Sequence, residues 1–167
     1  MNKDKPNKNK SLKPWKVIDE ISLKNTDECL RLLKKKGYVP SPWIVNIFKQ
    51  KKISYKKIKK PIVLCRISLS ELGFKKPTTL NKFYKKLKIK YKLVDPAIAL
   101  FARSIYDEQK TGEWLRFATP MKSMIDSDGV PHLPKLGKAL KLYFIETYWS
   151  YPKAIFHPHN EFIVQKK

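Results

Sequence analysis

Apolar residues recur at helical spacing through the first two-thirds of the chain and at strand spacing toward its end, an order that predicts an α+β fold. Asn25-Thr26-Asp27-Glu28 reads as a helix start, with a capping side chain, a glutamate three residues later and acids in the first turn. Cys29, Leu30 and Leu33 carry that helix to Lys36, and Gly37 ends it. Ser41-Pro42 opens a second helix, because proline at the first helical position lacks only an N–H that has no partner there. Trp43, Ile44, Ile47 and Phe48 form its apolar side. After Pro61, Val63, Cys65, Ile67 and Leu69 alternate with Leu64, Arg66 and Ser68, the period of a half-buried strand. Thr78 or Thr79 caps a third helix with Leu80, Phe83, Tyr84 and Leu87 on one face and Lys82, Lys85, Lys86 and Lys88 on the other. Asp95-Pro96 introduces a short fourth helix reaching about Tyr106.

From Gly112 the pattern changes to strands at 114–118, 131–136, 140–148 and 162–164. Ser127-Asp128-Gly129 is a hairpin turn, Gly137 joins the next pair, and residues 152–160 form a loop. These strands predict a mainly antiparallel C-terminal sheet. Trp15 to Leu23 shows no period and predicts no element. Residues 1–14 are lysine-dense, broken by proline and too polar to offset chain entropy, so a flexible basic tail is expected. The expected organisation is that tail followed by one α+β domain over 15–167. Its basic helical part covers 15–60; a strand, two helices and the antiparallel sheet cover 61–167.

Composition narrows the classes. A length of 167 residues suits one core, and a hydrophobic fraction of 42% is too high for wholesale disorder. No apolar run approaches a membrane span, and the charged N-terminus has no hydrophobic region behind it. Cys29 and Cys65 are too few for a disulfide framework and lack zinc-ligand spacing, so a reducing, cytoplasmic setting is expected.

Net charge changes the picture most. The chain carries +23, of which residues 1–92 hold +21 and residues 93–167 hold +2. A one-sided positive field attracts nucleic acid, anionic lipid or an acidic protein, although solvated lysines on helix faces need no ligand. The candidate surface comprises Lys34, Lys35, Lys36, Lys51, Lys52, Lys56, Lys57, Lys59 and Lys60, extended by Lys85 and Lys86, with Tyr55 as a base-stacking ring. Only Arg31, Arg66, Arg103 and Arg116 are arginines, and bidentate guanine contacts are mostly arginine's. The expectation is therefore RNA or DNA backbone binding without sequence choice, by a module that is not an enzyme.

Ser70-Glu71-Leu72-Gly73-Phe74, Gly112-Glu113-Trp114-Leu115-Arg116, Asp126-Ser127-Asp128-Gly129 and Phe162-Ile163-Val164 give the chain its one family resemblance. In their order and spacing, with Ser41-Pro42-Trp43, it resembles a family of small bacterial proteins of uncharacterised function, often named helicase. The resemblance runs from about Asp27 to the C-terminus. The name implies a nucleotide-driven motor, yet none of the five glycines opens a loop ending in Lys-Ser/Thr, and the chain is too short for two motor lobes. The family pattern before Tyr106 is rich in Gly, Pro and Gln, with a glutamate and a nearby arginine. Arg103 and Tyr106 fit it, whereas Ala97, Ala99, Leu100 and Phe101 depart from it, which implies that a family site there is not retained.

Other constellations carry less. A helix-turn-helix over 26–36 and 42–50 would present Trp43, Ile44, Ile47 and Phe48 rather than base-reading side chains. His157-Pro158-His159 with Glu161, and distant His132, suggests a metal-dependent or metal-free nuclease, but Pro158 favours a loop and a metal wants three or four ligands. Arg116 or Glu146 would complete an acid–base pair for that hydrolase alternative. Asp126-Ser127-Asp128-Gly129 begins like a calcium loop, but Val130 and Gly137 stand where oxygen ligands belong. Neither a metal nor a cofactor is expected, and the third alternative is docking of an acidic protein.

Overall fold

The computed structural model describes residues 12–51 and 53–167. Among them the chain runs β1 (Pro14–Ile18), α1 (Thr26–Lys35), β2 (Val39–Pro40), α2 (Pro42–Lys51), β3 (Ile62–Ser68), β4 (Thr78–Thr79) and α3 (Leu80–Lys90). It continues with β5 (Tyr91–Lys92), α4 (Pro96–Ser104), β6 (Trp114–Phe117), β7 (His132–Ala139), β8 (Leu142–Trp149), β9 (Ile155–Phe156) and β10 (Glu161–Lys166). The fold is α+β, and no helix among the described residues is long and apolar enough to cross a membrane.

Local signals place the helices. Asn25 caps α1 by accepting the Glu28 N–H at 3.0 Å, while the Glu28 carboxylate reaches back to the Lys24 N–H at 2.8 Å. Gly37 takes φ +72° just beyond, where a side chain would be strained. Ser41 Oγ receives the Ile44 N–H, Thr79 Oγ1 that of Lys82, and Asp95 Oδ1 that of Ala97. Every residue of α4 is buried, as a helix apolar on all sides requires.

The main sheet is mixed. Its order is β1-β3-β10-β6-β7-β8-β2, with β5 also on β10; β10 pairs β6 in parallel and β2 pairs β8 in parallel, the other joins being antiparallel. β10 thus lies inside the sheet, flanked by strands made earlier in the chain. Side chains alternate between two cores, because successive strand residues point to opposite faces. Leu64, Leu115, Phe117, Leu136, Ile145 and Ile163 pack with α1, α2 and α4. Cys65, Ile67, Leu133, Phe162 and Val164 pack with α3 and with Phe156 of the β4–β9 pair.

Several expectations change. The sheet is not confined to the C-terminal end: β1 lies where no element was predicted and pairs with β3, and Pro14 belongs to it rather than to a tail. The remaining tail residues, 1–11, lie outside the described residues. The segment 15–60 contributes β1 and β2 as well as helices. β3 is covered on both faces, Leu64 and Cys65 both being buried, so it is not half-buried. Gly137 is not a join but a strand residue of β7, its register partner Trp114 lying flat over it; a Cβ there would sit 2.0 Å from the indole. The turn falls instead at Leu140 and Lys141, with φ 48° and 65°, between the paired residues Ala139 and Leu142. Two residues of positive φ match the twist of the flanking strands.

Candidate nucleic-acid interface

The lysine-rich segment between α2 and β3 is fastened by the residues that interrupt its lysines. Ile53, Tyr55 and Ile58 pack against the core beneath α1, α2 and α4. The backbone is pinned where Thr26 N–H donates to Ile53 O at 3.1 Å and Tyr55 N–H to Lys24 O at 2.9 Å. With the apolar members turned inward, Lys56, Lys57, Lys59 and Lys60 all stand exposed. They rim a cleft of about 360 Å³ whose wall and floor include Ile21, Ile53, Ile58, Ile62, Asp95, Ala97 and Ile98. A neighbouring hollow of about 580 Å³ shares Ile21, Tyr55, Lys56, Lys57 and Ile58 and adds residues 19–24.

Lys51, the last residue of α2, lies two residues before Ile53 of the cleft lining. Partial burial lowers its pKa, while the Asp95 carboxylate in the cleft wall acts in the opposite sense. The lysine ion pairs of the described residues belong elsewhere, to Lys16, Lys36 and Lys135. The rim is therefore a set of cations over an apolar floor, with Asp95 in its wall and Asp19 and Glu20 in the adjoining hollow that Lys56 and Lys57 share.

Other candidates fall outside the cleft. Lys34 lines a separate hollow with Arg31, Asp27 and Lys49, and Lys35 is exposed near the end of α1. Lys36 is engaged: its ammonium donates to Ser104 O at 2.6 Å and pairs with Asp107 at 3.3 Å. Lys85 and Lys86 ride on α3, across the sheet from α1 and α2, and Lys86 lies 4.9 Å over the Phe74 ring. Tyr55 is turned inward rather than offered to a base. Its hydroxyl donates to Ala97 O at 3.0 Å, its ring edge meets Phe101, and burial drives its pKa far up. Lys52 lies outside the described residues.

His157 and His159 stack at 5.7 Å in an exposed turn closed by Asn160, beside the Ser68–Ser70 loop and not in the lysine cleft. Among the described residues no three His, Cys, Asp or Glu side chains gather as a metal site. Asp126 is taken up by its own turn, accepting from Asp128 N–H and Val130 N–H and from the His132 ring at 2.9 Å, which together hold its carboxyl below the usual range. α1 and α2 are joined through β2, which pairs with β8, so they do not form a free helix-turn-helix; Ile44, Ile47 and Phe48 pack inward while Trp43 is exposed. Cys29 and Cys65 are buried free thiols, and burial pushes Cys29 up to about 11, with the Tyr55 side chain acting in the opposite sense.

The structure also assembles a polar network that sequence spacing does not reveal. Arg66 bridges Glu113 at 2.7 Å and Glu161 at 2.6 Å, Tyr106 OH donates to the other oxygen of Glu113, and Gln109 donates to Glu113 O. Arg103 is wholly buried, donating to Gln109 Oε1 at 2.5 Å and to Tyr106 O, with its guanidinium against Tyr38, Tyr106 and Tyr143. Burial pushes Tyr106 up to about 12, aided by its bond to Glu113. Arg116 lies 4.9 Å over Tyr148, and burial lowers its pKa. Comparison with known proteins finds no family model, curated relative or solved structure that matches this chain.

Proposed function

We propose that the chain binds the phosphate backbone of nucleic acid at the lysine-rimmed cleft, without reading base sequence. The observation that carries this reading is the gathering of Lys56, Lys57, Lys59 and Lys60 around one concavity, outside the ion pairs of the described residues. A lysine ammonium is a mobile point charge suited to following a backbone and poorly suited to base recognition. The arginines support the same division. Arg66 and Arg103 are held by protein oxygens and Arg116 by aromatic rings, while the exposed Arg31 lines a separate hollow on α1, so the lysine cleft itself offers no arginine for base-edge reading.

Fluorescence polarisation with random-sequence RNA and DNA at several salt concentrations tests the reading. If four lysines each neutralise a phosphate, log affinity for duplex DNA falls against log salt with a slope of roughly −4. Reversal of Lys56, Lys57, Lys59 and Lys60 to glutamate removes binding. Absence of binding by the wild-type chain at low salt, or binding untouched by the reversal, overturns the proposal.

A further inference from the structure

Four rings follow one another with 24° to 31° between the planes of neighbours. Trp43, in the first turn of α2, faces His132 of β7 at 5.8 Å between centroids and 24° between planes. His132 faces Trp149 of β8 at 5.7 Å and 31°, and Trp149 faces Tyr151 at 6.3 Å and 28°. The histidine is buried, but Trp43, Trp149 and Tyr151 are 48%, 54% and 45% exposed. Tryptophan is highly buried on average, so two half-open indoles beside an open tyrosine form an unusual surface.

This surface is fixed from beneath. The His132 ring donates from Nε2 to Asp126 Oδ2 at 2.9 Å, and the other oxygen of Asp126 is held by the Asp128 and Val130 N–H groups at 2.9 Å and 2.8 Å. The Asp-Gly turn therefore sets the imidazole, and the imidazole spaces the two indoles. Rings held in this way keep their exposed parts in place, so that contact with them costs little entropy.

We infer that Trp43, Trp149 and Tyr151 are a stacking platform for unpaired bases, so that the ligand of the lysine cleft is single-stranded nucleic acid; this rests on the backbone-binding reading above. Base–aromatic stacking is tolerant of sequence and needs bases freed from a duplex. α2 links the platform to the cations. Trp43 opens the helix and Lys51 closes it about 12 Å along the axis. Between them Asn46 and Gln50, exposed and hydrogen-bonded to each other at 3.0 Å, make a polar strip. Two residues beyond Lys51 the chain enters the cleft lining at Ile53. A strand following α2 meets cations at one end and open rings at the other. Residues 93–167, which supply Trp149 and Tyr151, carry only +2, so the platform adds stacking rather than further charge.

The test is polarisation with labelled oligo(dT) of roughly 12 nucleotides, within the site sizes of single-strand binders, beside a duplex of the same length. Wild type is compared with Trp149→Leu, Trp43→Leu and Tyr151→Leu, each with its thermal midpoint measured. The wild-type chain binds the single strand more tightly; each substitution weakens that binding roughly tenfold, leaves the salt slope unchanged and spares the duplex. Equal affinity for both strand states, or ring variants that bind the single strand like wild type, overturns the platform. If Trp149→Leu proves unstable, Tyr151→Leu, outside the His132–Asp126 pair, still decides. Lysine reversal that abolishes binding while ring variants change nothing upholds the cleft and removes the platform; no binding of either nucleic acid at low salt removes both.

Discussion

Positive charge is held in two different ways by the arginines of β3 and α4 and along the segment between α2 and β3. Arg66 of β3 is clamped between two carboxylates, and Arg103 of α4 is enclosed by tyrosine rings and oxygen acceptors. Along 56–60, the lysines stand off an apolar floor and meet solvent. The planar guanidinium is weakly hydrated and forms several directed bonds, so it can be taken out of water and built in; the ammonium is strongly hydrated and is left outside. The contrast separates charge that holds the fold from charge available to a ligand. Net charge of +23 counts both alike.

Substitutions can break or sharpen that contrast. Arg103→Ala should lower the unfolding free energy by about 3–5 kcal/mol, since it opens a cavity and strands buried acceptors; wild-type stability in urea would abolish the distinction. Arg66→Ala should cost about 1–2 kcal/mol, discounted because Arg66 and Glu161 are partly exposed. Double-mutant cycles with Glu113→Gln and Glu161→Gln would show which carboxylate carries the coupling.

Acid provides a milder test. The bond from His132 holds Asp126 below its ordinary pKa despite opposing desolvation, so the folded state binds that proton less readily than the unfolded chain. Its stabilisation is complete above the unfolded carboxylate range and disappears as pH falls through the depressed folded value. Asp126→Asn should flatten the thermal midpoint between about pH 5 and pH 2 relative to wild type. At the small end, glutamate reversal of Lys56, Lys57, Lys59 and Lys60 should change stability by no more than about 0.5 kcal/mol per site, in denaturant titrations. A large loss would mean that those lysines hold the fold after all.

What could be read in the sequence was local. Asn25, Thr79 and Asp95 announce their helices because a cap and its N–H lie within three residues, and Leu80 to Leu87 betray a buried face by spacing alone. β1 escaped because Ile18 is its one buried residue, and β2 because two residues show no period. Gly137 misled because its need for glycine comes from an indole on another strand rather than from a turn. Of the candidate surface, Lys56, Lys57, Lys59 and Lys60 were legible as a run, whereas the attachment of Lys36 to Asp107 spans the fold. Arg66 and Glu161 are 95 positions apart, and the Trp43–His132–Trp149 stack joins a helix to two strands; no sequence window contains either.

The position of β10 bears on how the protein is made. A ribosome releases β3, β5 and β6 before the strand that joins all three exists. Until then, backbone groups of β3 and β6 remain without their partner, and such edges invite pairing with other chains. Every variant that leaves synthesis short of Glu161 should therefore emerge as an aggregating half-sheet rather than a smaller working protein.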